Sequence, residues 1–73
     1  MTWRYNARIA NWEATEGGWR AVVIRLSDEG GWYPSIERIA APHDRRDGPT
    51  YQWSLEGRAW CEAEIKQLQL DQR

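Results

Sequence analysis

The chain has 73 residues, ten basic and eleven acidic, with a net charge of −1, one Cys, one His and six Trp. That length predicts one domain, 1–73, because a core below roughly 80 residues is already marginal and cannot be divided. The lone Cys61 argues against a disulfide-stapled secreted scaffold and favours a reducing, cytoplasmic setting; no signal peptide is expected, because no apolar run follows Met1-Thr2-Trp3-Arg4, and no membrane span, because no apolar segment approaches ~20 residues.

Near-neutral charge also argues against a nucleic-acid binder, whose affinity comes mostly from phosphate neutralisation. Nine of the ten basic residues are Arg, and Phe is missing while Trp is abundant. A GC-rich coding sequence explains that bias, and Trp with Arg is also the pair most enriched at interface hot spots.

Residues 3–12 alternate and predict a first strand, with Trp3, Tyr5, Ala7 and Ile9 on one face and Arg4, Asn6, Arg8, Ala10 and Trp12 on the other. Residues 11–18 hold Glu13, Thr15, Glu16 and two glycines and read as a hairpin loop. Residues 19–26, Trp-Arg-Ala-Val-Val-Ile-Arg-Leu, are rich in β-branched side chains and bracketed by Gly17-Gly18 and Gly30-Gly31. They predict the buried central strand of a small antiparallel sheet. Its wholly aliphatic set, Val22, Ile24 and Leu26, is expected to face the core, joined there by Tyr5 and Ile9. The opposite face then carries Arg4, Arg8, Trp12, Trp19 and Arg25. Two readings of that face stand side by side: a cross-strand Trp pair on an open, arginine-solubilised sheet, or a docking surface.

Residues 27–31 predict a polar turn, and Pro34 is expected to bar a central ladder position at that point. Residues 35–41 fit either a helical turn or a bulged third strand; the strand is preferred, and Ile36 and Ile39 are needed in the core under either. Residues 42–50 read as a solvated loop in which Arg45 and Arg46 pair with Asp44 and Asp47, with a partner-contact loop as the other reading. His43 has no second His or Cys at ligand spacing, so no metal site is expected.

Residues 51–53 suggest an edge strand. Ser54 fits an N-cap for a helix over residues 55–70, with Gly57, Cys61, Ile65 and Leu68 facing the sheet, Trp60 at the flank and Arg58, Glu62 and Lys66 on the wet side. Ala59, Ala63 and Leu70 form a second apolar strip left partly uncovered. The fold class is therefore α+β: a three- to four-stranded antiparallel sheet with one C-terminal helix packed on one face. No glycine-rich phosphate loop occurs, and Cys61 reads as a core residue rather than a nucleophile. The expectation is a monomeric, non-enzymatic binding module with no catalytic, cofactor or metal residues.

Two resemblances extend this reading. Two hairpin strands and a third, followed by Tyr51-Gln52-Trp53-Ser54-Leu55-Glu56-Gly57-Arg58-Ala59-Trp60, resemble the arm-binding domain of tyrosine integrases, whose sheet enters the major groove of DNA. That resemblance implies DNA contact from Arg4, Arg8, Arg20 or Arg25, although such domains are basic and this chain is not. In length, composition and Trp-rich α+β character the chain also resembles the small RNA polymerase-binding transcription regulators of lytic phages, of the Xanthomonas phage type. This second resemblance implies docking on the N-terminus of the polymerase largest subunit in the host cytoplasm, loss of the σ factor, inhibition of initiation and antitermination. No residue motif carries it. The residues expected to contact the partner are Arg4, Arg8, Trp12, Trp19 and Arg25 on the sheet, with Asp44, Arg45, Arg46 and Asp47 from the loop.

Overall fold

The computed structural model describes residues 1–26 and 30–71. Five strands and one helix follow each other along the chain: β1 (Arg4–Asn6), β2 (Asn11–Glu16), β3 (Trp19–Arg25), β4 (Trp32–Arg38), β5 (Ala41–Asp47) and α1 (Ser54–Asp71). The strands form one antiparallel sheet in sequence order. The fold is α+β, with α1 packed across one face and five strands where three or four were expected.

The extra strands come from turns tighter than the sequence suggested. Gly17 and Gly18 both adopt positive φ, 57° and 83°, which is the two-residue hairpin geometry that matches strand twist. Glu16 therefore pairs with Trp19, Thr15 with Arg20 and Ala14 with Ala21, so residues 11–16 are a strand rather than a loop. Earlier, the run over residues 3–12 breaks: the Asn6 Oδ1 accepts the Arg8 N–H at 3.1 Å, and Ala10 takes a left-handed φ of 51°. The chain turns back there, which pairs Tyr5 with Trp12.

Pro34 lies inside β4, contrary to expectation. Leu26 donates to the Gly31 carbonyl at 2.8 Å, and antiparallel alternation from that bond puts the Val23–Pro34 pair at a non-hydrogen-bonded position. The missing N–H thus faces away from β3, toward Gly48, just past the last β5 pair at Asp47; the Gly48 N–H donates to the Pro34 carbonyl at 2.9 Å. Residues 42–47 are an edge strand, not a loop, and Pro42 with its charged neighbours is the composition that keeps an edge from pairing further. Arg38 pairs with Ala41, which leaves Ile39 in the connecting turn and exposed rather than in the core. Of residues 51–53 only Tyr51 joins the sheet, exchanging two backbone bonds with Trp32.

Register decides which side is buried. Opposed residues share a face, so Trp12, Val23 and Pro34 form one row and Ala14, Ala21 and Ile36 the next, with Trp19 beside Arg38. Every one of the first six is apolar. On the other side Val22 is flanked by Glu13 and Ser35, and Ile24 by Asn11 and Tyr33. α1 covers the apolar rows through Gly57, Cys61 and Ile65, all buried, as the helical periodicity predicted. Leu68 and Trp60 pack against that core from its margin. The small residues Ala14, Ala21 and Gly57 let helix and sheet approach closely: a methyl on Gly57 would come within 2.9 Å of Val23 Cγ1.

The expected inward and outward sets of β3 are therefore exchanged. Trp19 is 1% exposed and belongs to the core with Ala21 and Val23, whereas Ile24 is 36% exposed on the open face. Burying an indole removes roughly 150–250 Å² from water, more than either aliphatic offers, and only the Trp19 side has apolar neighbours on adjacent strands.

Candidate docking surface

The open face of the sheet carries a cross-strand ladder of charges. The Arg20 guanidinium lies between Glu13, at 3.2 Å, and Glu37, at 3.0 Å. Beside it Arg45 binds Asp47 at 2.7 Å and reaches Ser35 Oγ at 3.4 Å. The hydrogen bond from Arg45 holds the Asp47 carboxyl below the usual carboxylate range, and partial burial, followed by the neighbouring Asp47, pushes the Tyr33 hydroxyl up. Exposed pairs of this kind add only ~0–1 kcal/mol each to stability. Their larger consequence is that Arg20 and Arg45 are already matched within the chain, which leaves Arg4, opposite Glu13, as the arginine of this face with no ion pair among the described residues.

Internal matching extends to the remainder of the expected contact loop. Asp44 pairs with Arg38 at 2.9 Å rather than with Arg46, and Arg46 reaches across to Glu64 of α1 at 3.3 Å. Asp44, Arg45, Arg46 and Asp47 are thus all engaged internally along β5. The two expected indole anchors are engaged as well. Arg38 lies 4.4 Å above the buried Trp19 ring, and half-buried Trp12 is held between Tyr5, with ring centroids 5.1 Å apart, and Arg58, 4.0 Å from the ring centroid. Neither Trp can anchor a partner from an open face.

What remains is one end of the molecule, where α1 begins. The helix is anchored through Gly57 over Val23 and Pro34, so its first turn overhangs the end of β3 and β4. The Trp53 N–H donates to Glu56 Oε1 at 3.2 Å; Trp53 occupies the capping position, and Ser54, expected as the cap, is the first helical residue. Leu55 sits two positions before Gly57, about 200° around the helix axis from the buried stripe. It is 68% exposed, Trp53 63% and Ile9 55%.

These side chains frame two adjoining shallow clefts. One, of about 560 Å³, lies between Arg25, Trp32, Trp53 and Leu55; the other, of about 460 Å³, lies between Arg8, Ile9 and Arg25. Arg25 is common to both. No acidic side chain lines either cleft among the described residues. Arg4, Arg8 and Arg25 make no ion pair within that same set. Of the nine expected contact residues, the structure brings only Arg8 and Arg25 to this end, with exposed Arg4 next to Arg8 along a neighbouring hollow. Ile9, Trp32, Trp53 and Leu55 were missed; the helix stripe alone could have flagged Leu55, since it falls opposite Gly57.

Cys61 Sγ sits 3.8 Å from the Ser35 carbonyl and 3.9 Å from that of Val22, and burial pushes its thiol up to about 12. His43 is exposed on β5. No described helix is long and apolar enough to cross a membrane, and no three His, Cys, Asp or Glu cluster in a way that could hold a metal among the described residues. No protein-family model, curated protein or solved structure matches this chain.

Proposed function

We propose that the chain is a non-enzymatic regulator of the phage type that docks on a host protein, RNA polymerase, and alters transcription through the end formed by Arg8, Ile9, Arg25, Trp32, Trp53 and Leu55. The observation that carries the reading is a contrast. Arg20, Arg45 and the other charges along β5 are paired within the chain, whereas this end combines cations that make no ion pair among the described residues with the most exposed large apolar side chains. Such a mixture of aromatic, aliphatic and Arg surface is what protein interfaces concentrate at their centres. The resemblance in size and Trp-rich character to phage regulators supplies the identity of the partner.

The integrase-like alternative uses the open sheet face. There Arg20 is tied to two carboxylates, so insertion into a groove would first break both pairs. Purified bacterial RNA polymerase, immobilised and titrated with the chain, tests the proposal. Saturable binding that falls on Trp53→Ala, together with lowered transcription from a σ-dependent promoter, is expected. Failure to bind either core enzyme or holoenzyme, with duplex DNA bound instead, would reverse the order of the two readings.

A further inference from the structure

We infer that this end accepts a short acidic segment of a protein partner carrying one large apolar side chain, with the apolar group between Trp32, Trp53 and Leu55 and carboxylates on Arg25 and Arg8. The inference rests on the docking reading and specifies its occupant. Arg25 stands where the two clefts meet, so a ligand filling the larger one passes the guanidinium on its way to Arg8. A cleft of about 560 Å³ holds a Leu or aromatic side chain with room to spare, and its walls include one aliphatic and two indole groups beside the polar Gln52 and Ser54. Charge complementarity fixes the sign of the flanking residues: two cations, and no acid among the described lining residues.

Two other occupants fit less well. A second copy meeting the first through this patch would use the same surface on both sides of a two-fold axis, bringing the Arg8 and Arg25 of both copies into one interface whose described lining has no acid. Like charges would then be buried together. Single-stranded nucleic acid would stack bases on Trp53, but Ile9 and Leu55 provide no stacking platform, and two arginines do not make the continuous cationic track that backbone binding uses.

The test uses three fluorescein-labelled probes: a twelve-residue peptide of Glu with a central Leu-Trp pair, the same peptide with Lys for Glu, and oligothymidine of twelve nucleotides. Anisotropy is read for the wild type, for Arg8→Ala with Arg25→Ala, and for Trp53→Ala. These side chains are exposed, so thermal unfolding midpoints close to wild type are expected and serve as the check on folding. Binding of the acidic peptide alone, weakened about tenfold or more by either set of changes, supports the inference. Equal binding of oligothymidine, or acidic-peptide binding indifferent to both sets, overturns it, as does wild-type dimerisation in sedimentation that Trp53→Ala abolishes. If polymerase binding is lost in these variants while the acidic peptide never binds, the assigned occupant fails and the docking surface stands. If polymerase binding ignores the variants, the docking surface fails as well.

Discussion

Trp19 fixes the side of the sheet on which the helix lies, because it is the largest of the fully buried side chains and sits at the end of β3 under Arg38. Replacing it with Ala removes an indole from a closed site and leaves a cavity, a change that costs about 3–5 kcal/mol. Trp53→Ala, by contrast, is expected to change stability by no more than about 0.5 kcal/mol, since Trp53 is mostly in water. Urea unfolding of both variants measures this. A Trp19→Ala loss below about 1 kcal/mol would mean that the indole is not part of the core.

Cys61 carries a second prediction at this scale. Burial raises its thiol from an ordinary 9.0 to about 12, so between those values the folded chain holds a proton that the unfolded chain releases. The stabilising contribution of the neutral thiol is complete below about pH 9 and declines as pH rises through 12. Tyr33, also shifted upward, acts in the same direction, so the thiol must be isolated by comparison with Cys61→Ala. Between pH 8 and pH 10.5 the wild type should lose more stability than that variant. A thiol reagent at pH 8 should modify Cys61 only after denaturant is added; rapid modification of the native chain would count against the buried placement.

Among the elements, α1 was readable from sequence because a helix repeats its buried face every 3.6 residues, and Gly57, Cys61, Ile65 and Leu68 satisfy that spacing more fully than the second strip of Ala59, Ala63 and Leu70, which is exposed. β3 was not readable in the same way. Val22 and Ile24 on one side and Ala21 and Val23 on the other are all apolar, so alternation cannot orient the strand. The information lay in the Gly17-Gly18 turn: a two-residue reversal sets Glu16 against Trp19, and the pairing that follows aligns Ala14 with Ala21 and Trp12 with Val23. Reading that stretch as a longer loop lost the register and with it the face. The candidate site was less legible still, because the ends of β3, β4 and α1 and the β1–β2 turn assemble it, and no local pattern joins Arg8 to Arg25 and Trp53.

Gly57 tests how closely helix and sheet fit. In an exposed helix Ala would gain about 1 kcal/mol over Gly. Here its methyl would lie 2.9 Å from Val23 Cγ1, in a core with no slack, and overpacking costs about 1–3 kcal/mol. Gly57→Ala is therefore expected to destabilise, by about 1 kcal/mol net. Trimming Val23 to Ala should be less harmful in the Gly57→Ala background than alone, a coupling that a double-mutant cycle reads from denaturation midpoints. Additivity of the two changes would show that they do not touch.

At the scale of the whole molecule, the distribution of charge separates the two functional readings better than the total of −1 does. Duplex DNA binding weakens with salt by a log-log slope of about −0.9 for each phosphate neutralised. Arg4, Arg8 and Arg25, the sheet and turn arginines without ion pairs among the described residues, therefore limit the slope for DNA held by the sheet and its turns to about −3. At the sheet, a steeper value requires Arg20, Arg38, Arg45 and Arg46 to leave Glu13, Glu37, Asp44, Asp47 and Glu64. Each release exposes an unmatched carboxylate to the phosphates. Repulsion from those carboxylates offsets the gain. A protein partner seated on Trp53 and Leu55 faces no such opposition, because apolar burial is insensitive to moderate salt and only the Arg8 and Arg25 contacts are screened over the ~10 Å Debye length at 0.1 M. Polymerase binding should accordingly fall only severalfold between 50 and 200 mM salt, while duplex DNA bound at the sheet and its turns should show a slope no steeper than about −3. A DNA slope of about −5 or steeper would mean that the open sheet face gives up its internal pairs for phosphates, and would make that face, not the Arg8–Trp53 end, the working surface.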